Sequence, residues 1–203
     1  YKYSLNSRQK NYKNIISNYR SFVSLHNNIF NKDFINFFYD ELYTKMLYSR
    51  ITDFKFFLKF LRFKKFEFKK KNFFEKFFYT YIDPVIEYSF IKNEGKIVPH
   101  TDSRYKLLSL MLYFPDKILS DNQKIQLGTT FYKSKKKNLN NSHLNNSIEE
   151  ESFKNTYPEK IVLPFKEKHL YGFIRNKYSW HSVEPFSIDP NFIRKSININ
   201  LYF

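Results

Sequence analysis

The chain has 203 residues, enough for one domain with a substantial core, and no Cys, which excludes a disulfide scaffold, a thiolate nucleophile and a Cys-ligated metal. Hydrophobic residues make up 42% and aromatics 21%, too many for a disordered chain, while the apolar runs are too short and too often broken by Lys or Asn to span a membrane. The formal net charge of +16 has a compositional source before a functional one. Lys, Phe, Asn, Ile and Tyr supply 109 residues, Ala is absent and Gly occurs three times, the usage of an AT-rich coding sequence. A Lys-rich face would still attract phosphate or anionic lipid. The chain opens Tyr1-Lys2-Tyr3-Ser4, with no signal-peptide pattern, and with no Cys to oxidise the expected location is the cytoplasm.

In chain order, the first thirty residues are polar and aromatic with weak periodicity and read as an irregular or partly helical arm. From Asn31 to Arg50, Phe34, Phe37, Phe38, Leu42 and Met46 recur at three- and four-residue steps, which predicts an amphipathic helix capped near Asn31 or Asp33. Residues 54–78 carry eleven Phe interleaved with Lys, and their period is ambiguous between helix and strand. A second helix is expected from Asn72 to about Ile82, ending before Pro84. Beyond Pro84 the pattern turns to short β runs at 85–91, 96–100, 107–114, 127–133, 169–174, 178–184 and 194–203. Residues 134–157 are a polar, low-complexity stretch that reads as an exposed insertion with almost nothing to bury. Helices followed by closely spaced strands predict an α+β chain, residues 1–84 supporting and 85–203 forming a β-sandwich or barrel within one domain.

Three places in the β half carry residues that a core does not need. In Pro99-His100-Thr101-Asp102, side chains two apart on an extended segment share a side, so His100 and Asp102 can grip one ion. Far along the chain, Trp180-His181-Ser182-Val183 offers a second imidazole. One carboxylate and two imidazoles on one metal make the facial triad that leaves three coordination positions open, the arrangement of non-haem Fe(II) oxygenases. In Arg194-Lys195-Ser196, Arg194 and Ser196 face one side of a strand, where a guanidinium fork and a hydroxyl match a carboxylate. Each motif alone also occurs on ordinary surfaces; their order along the chain carries the signal. His26, His143 and His169 lack metal-ligand spacing and read as surface or packing residues.

That order resembles the 2-oxoglutarate- and Fe(II)-dependent dioxygenases, prolyl-hydroxylase-like branch. The matching pieces are Gly95, His100-Thr101-Asp102, the apolar strand Leu107–Tyr113, Gly128-Thr129-Thr130, Trp180-His181-Ser182-Val183 and, 13 residues after His181, Arg194. The resemblance covers about 85–203. It departs from the family at Arg194, where collagen-type prolyl hydroxylases carry Lys, and at the single Gly128, where the family has a pair.

The resemblance implies a double-stranded β-helix, the cupin-like jelly-roll, with His100, Asp102 and His181 as catalytic metal ligands for Fe(II). It implies that Arg194 binds the distal carboxylate of the cosubstrate 2-oxoglutarate, with Ser196 and Tyr113 as further contacts. The reaction would consume O₂, with ascorbate as an accessory, and would hydroxylate a small-molecule, glycan or peptidyl substrate with release of succinate and CO₂. Without a carboxylate partner Arg194 would be costly to bury, so water, an anion or a neighbouring acid is expected against it. Nucleic acid is not the expected partner, although a basic, aromatic-rich binding protein using 54–78 and Lys133–Lys137 is the rival reading.

Overall fold

The computed structural model describes residues 2–51, 53–65, 78–136, 144 and 146–203. In chain order the elements are β1 (Lys2–Asn6), α1 (Tyr12–Ser17), α2 (Arg20–Ile29), α3 (Lys32–Arg50), α4 (Phe54–Phe60), β2 (Phe63–Lys65), β3 (Tyr79–Tyr81), β4 (Asp83–Lys92), β5 (Ile97–His100) and β6 (Lys106–Tyr113). There follow α5 (Asp121–Gln126), β7 (Thr129–Tyr132), α6 (Ser147–Thr156), β8 (Lys160–Leu163), β9 (Leu170–Ile174), β10 (His181–Val183) and β11 (Ile193–Tyr202). A five-stranded sheet runs β1-β4-β11-β6-β9 and a four-stranded sheet β5-β10-β7-β8, every pair antiparallel, while β2 and β3 pair in parallel. The pairings nest: β7 with β8, β6 with β9, β5 with β10 and β4 with β11.

Period-2 alternation sets what each face of the large sheet touches. On β11, Ile197, Ile199 and Leu201 join Ile86 and Tyr88 of β4 and Leu108 and Leu110 of β6 in a cluster with Tyr12, Ile16, Ile29, Ile35, Tyr39 and Met46 of the N-terminal helices. The other face of β11 presents Arg194, Ser196, Asn198 and Asn200, which line a cavity together with residues of the small sheet. A second cluster, with Ile91, Met111, Tyr113, Leu127, Phe165 and Val183, packs around one end of that cavity.

The seven β runs expected after Pro84 all contain a strand, and α3 matches the helix expected over 31–50, with the Asn31 side chain accepting from the Asp33 N–H at 3.0 Å. Four expectations need correction. Of the stripe expected on α3, Met46 is fully buried and Phe34, Phe38 and Leu42 are half-buried against the core, but Phe37 is 59% exposed; the buried centre also takes in Ile35, Tyr39 and Arg50, so the packing face is rotated toward these. The first thirty residues are more regular than an arm, with β1 added to the large sheet and two helices behind it. The helix expected over 72–82 falls partly on 72–77, outside the described residues, and Tyr79–Tyr81 is a strand.

The fourth correction concerns 134–157. Residues 137–143 and 145 lie outside the described ones, but α6 follows, with the Asn146 side chain accepting from the Glu149 N–H at 2.8 Å. It buries Phe153 with Tyr132, Leu144 and Trp180. Phe153 and the capping Asn146 help to dock a helix that composition reads as solvated.

Candidate metal and dicarboxylate site

His100 ends β5 and His181 begins β10, and the two residues are paired in register, ring centroids 4.3 Å apart. Both rings are oriented the same way. His100 Nδ1 lies 2.9 Å from the Val98 carbonyl and His181 Nδ1 3.0 Å from the Ser179 carbonyl. A carbonyl can only accept, so each Nδ1 carries the proton and each Nε2 keeps its lone pair, the tautomer that a metal requires. Burial pushes the His181 pKa down against the pull of Asp102, which favours the neutral, ligating ring.

Asp102 completes the group: His100, Asp102 and His181 each offer a ligand atom, all within 4.8 Å of one another. Asp102 Oδ2 is 4.0 Å from His181 Nε2. Donors sharing one ion at roughly 2.1 Å sit about 3–4 Å apart, so small side-chain adjustments suffice. Burial alone would raise the Asp102 pKa, but Lys106, whose Nζ stands 2.8 Å from Oδ1, together with His181 and His100 holds it well below the usual carboxylate range. Ser109 Oγ sits 3.3 Å from Asp102 Oδ2 and 2.9 Å from Asn200 Oδ1 and donates its single proton to one of them. Arg175 Nε donates to the Asp102 carbonyl at 3.0 Å, and Arg50, at the end of α3, donates to the Lys106 carbonyl.

His100, Asp102, Lys106, Ser109 and His181 line a cavity of about 250 Å³ that also takes in Arg194, Ser196 and Thr129. Arg194 is 2% exposed; its Nε donates to the Leu127 carbonyl at 2.7 Å and its Nη2 to Thr129 Oγ1 at 3.3 Å. Of the water, anion or neighbouring acid expected against it, the acid is not found: among the described residues no carboxylate pairs with Arg194. The Tyr113 and Phe165 rings, at 5.0 and 5.2 Å, cover the cation instead. The Tyr113 hydroxyl is hydrogen-bonded to Thr129 Oγ1 at 2.7 Å, so Tyr113 meets Arg194 both directly and through Thr129. Ser196 stands on the same face of β11, and Lys195 turns the other way to pair with Asp116 at 2.8 Å.

The remaining site expectations resolve simply. Trp180 is buried behind His181, its Nε1 donating to the Lys136 carbonyl at 2.7 Å. Phe131 and Phe173 cover the His181 ring at 5.4 and 4.8 Å. Gly128 admits no side chain, because a Cβ would lie 2.5 Å from the Leu163 carbonyl of β8. Sequence reasoning missed Lys106, Ser109, Arg50 and Arg175. The available signal was the Lys four residues past Asp102, opening the largely apolar strand β6.

No protein-family model matches the chain, and no curated protein matches it. Among solved structures it is similar to a prolyl-4-hydroxylase from Pseudomonas putida, at 11% identity over 60% of this chain and 49% of that one, TM-score 0.39. It is similar to the non-heme alpha ketoglutarate dependent carbocyclase SnoK from nogalamycin biosynthesis, at 10% identity over 58% of this chain and 49% of that one, TM-score 0.37. It is similar also to HygX from Streptomyces hygroscopicus with nickel, 2-oxoglutarate and hygromycin B bound, at 12% identity over 60% of this chain and 56% of that one, TM-score 0.39. The chain spans about half the length of these structures.

Proposed function

We propose that the chain is a 2-oxoglutarate- and Fe(II)-dependent dioxygenase that hydroxylates a C–H bond of a neutral, polar small molecule or glycan. The observation that carries this reading is the sharing of one cavity by two unlike centres: the His100–Asp102–His181 donor group and a buried guanidinium, Arg194, that no carboxylate pairs among the described residues. The nested strand pairing from β4 to β11 supports a double-stranded β-helix, a long hairpin rolled into two facing sheets. Residues 1–203 are read as one oxygenase unit, its N-terminal helices covering the outer face of the large sheet.

Fe(II) held by the three ligands supplies the redox chemistry, in which 2-oxoglutarate and O₂ yield succinate and CO₂ and one oxygen atom enters the substrate C–H bond. The chain's own residues position and exclude. The carbonyls of Val98 and Ser179 fix both imidazoles with Nε2 inward. Arg194, already oriented by the Leu127 carbonyl, presents its fork to the distal carboxylate of the cosubstrate, with Ser196 and, through Thr129, Tyr113 beside it. Phe131 and Phe173 keep water from the flank of His181.

The substrate class follows from what the cavity leaves over. Lys2 pairs with Glu87 at 2.7 Å and Lys106 with Asp102 at 2.8 Å, so once Arg194 takes the cosubstrate the remaining wall is neutral, with Ser89 and Asn198 as hydrogen-bonding groups. At about 250 Å³ the space encloses the cosubstrate and only part of a larger molecule. The test is succinate formation with Fe(II), 2-oxoglutarate and O₂ across a panel of neutral sugars, glycosides, amino acids and nucleotides. Stimulation confined to neutral hydroxylated compounds is expected; stimulation by anionic compounds alone would contradict it.

A further inference from the structure

We propose that Lys106 fixes Asp102 as a one-oxygen ligand and thereby keeps three coordination positions open; this rests on the reading of His100, Asp102 and His181 as the iron site. The two oxygens of Asp102 are already divided between two tasks. Oδ1 is taken by the Lys106 ammonium at 2.8 Å, while Oδ2 is the oxygen turned toward His181 Nε2, at 4.0 Å, and toward Ser109. Neither partner of the ion pair is free to swing into solvent, the side chains being 10% and 12% exposed. The Lys106 N–H is bonded to the Ser103 carbonyl at 3.0 Å, and the carbonyls of Asp102 and Lys106 are held by Arg175 and Arg50. The backbone that carries the ion pair is therefore held at both ends of the 102–106 turn.

The chemical consequence concerns denticity. A carboxylate binds a divalent ion through one oxygen or chelates it through both. In a six-coordinate site with three protein ligands, a one-oxygen Asp102 leaves three positions, two for the keto acid and one for O₂. A chelating Asp102 would leave two, and the cosubstrate would have to compete with the protein's own carboxylate. An ammonium bound to Oδ1 removes the second arm of the chelate while leaving the first untouched. Its positive charge also opposes the metal, so Lys106 is placed to control geometry rather than to strengthen metal capture. It acts through Asp102 and is a positioning residue.

The test uses the full chain with Co(II), whose visible absorption reports coordination, under anaerobic conditions. Metal affinity and then 2-oxoglutarate affinity of the Co(II)-loaded protein are measured by calorimetry for wild type, Lys106→Met and Lys106→Arg. Lys106→Met should still bind one Co(II) per chain, with an absorption spectrum altered before cosubstrate is added. Its 2-oxoglutarate affinity should fall tenfold or more, within the range seen for lost partners of metal ligands, and Lys106→Arg should recover it to within about threefold. Wild-type 2-oxoglutarate affinity and an unchanged Co(II) spectrum in Lys106→Met would overturn the proposal. So would loss of Co(II) in both variants, which would make Lys106 a folding residue of the turn. If Lys106→Met does not fold, Lys106→Gln is read by the same two measurements. Failure of the wild-type chain to take up Co(II) at all would overturn the iron-site reading instead.

Discussion

His100 and His181 face each other across the β5–β10 ladder, in register, each with Nδ1 tied to the carbonyl two residues before it. Two strands far apart in sequence thus carry the same local device, and a one-residue slip of either strand would turn its ring to the opposite face. Any change that shifts this register should remove metal binding without touching a ligand. Gly128→Ala is such a change, since the new Cβ would meet the Leu163 carbonyl and move β7, the neighbour of β10. A stability loss of about 1–3 kcal/mol by denaturant titration, accompanied by weaker metal uptake, is expected.

Asp102 and Lys106 form a buried pair, so removing one member should cost more than removing both. Asp102→Ala strands an ammonium that is 10% exposed and should destabilise the chain by about 3–5 kcal/mol. Asp102→Ala combined with Lys106→Met should recover much of that loss while binding no metal. Chemical denaturation of the two variants separates the pair's structural cost from its ligand role.

Arg194→Lys keeps the charge and loses the fork. With one or two charge-assisted hydrogen bonds gone at about 1.5–3 kcal/mol each, the apparent KM for 2-oxoglutarate should rise by roughly tenfold or more while metal stoichiometry is unchanged. Lys195→Ala, removing an exposed pair with Asp116, should do little. Steady-state kinetics of the two variants side by side give the contrast.

The α6 docking network sets an acid limit. Glu150 and Glu184 are each bonded by Lys154, and Lys96 adds a second bond to Glu150. Burial works to raise both carboxyl pKa values, but these bonds outweigh it and hold both below the usual range. A carboxylate with a depressed folded-state pKa stabilises the folded form above its unfolded pKa, and that contribution is lost as pH falls through the folded value. Lys154, raised in the folded state by the same contacts, contributes at all pH values below its unfolded pKa and so does not offset the acid loss. Hydrogen exchange should show residues 147–156 opening before the β11 core as pH drops below the ordinary Glu range.

The outer face of the large sheet depends on the helices. Met46→Ala, fully buried, should cost about 2–5 kcal/mol, whereas Phe37→Ala, 59% exposed, should stay within about 0.5 kcal/mol. A fragment 85–203 would bare Ile86, Tyr88, Leu108 and Ile199 together, and insoluble protein is expected on expression.

How far residues announce themselves differs between these parts. Most strands of the β half are legible because alternation and turn residues are local signals, though β8, Lys160–Leu163, lies outside the expected runs, and His100-Thr101-Asp102 is legible because two-residue spacing fixes a shared side. The buried face of α3 is legible only in part, at Met46, because with Phe and Tyr at most positions hydrophobicity no longer picks out one stripe, and the packing selects Ile35 and Tyr39 over Phe37. Lys106 is hidden for a different reason. In a chain with 35 Lys and Arg a single Lys before a strand looks solvated, and only the fold brings its ammonium onto Asp102. The α6 helix is masked by composition, since a lone Phe153 among polar residues is a weak signal until Trp180 and Tyr132 arrive from other strands.

The central claim is that one metal ion and one dicarboxylate meet in the cavity between His181 and Arg194. Anaerobic calorimetry of 2-oxoglutarate into the chain, with and without one equivalent of Fe(II), tests it most directly. Metal-dependent binding with one-to-one stoichiometry is expected, abolished in His181→Ala through loss of the metal and in Arg194→Met with the metal retained. Binding of 2-oxoglutarate that is indifferent to Fe(II), or an Fe(II) site that survives His181→Ala intact, would contradict it.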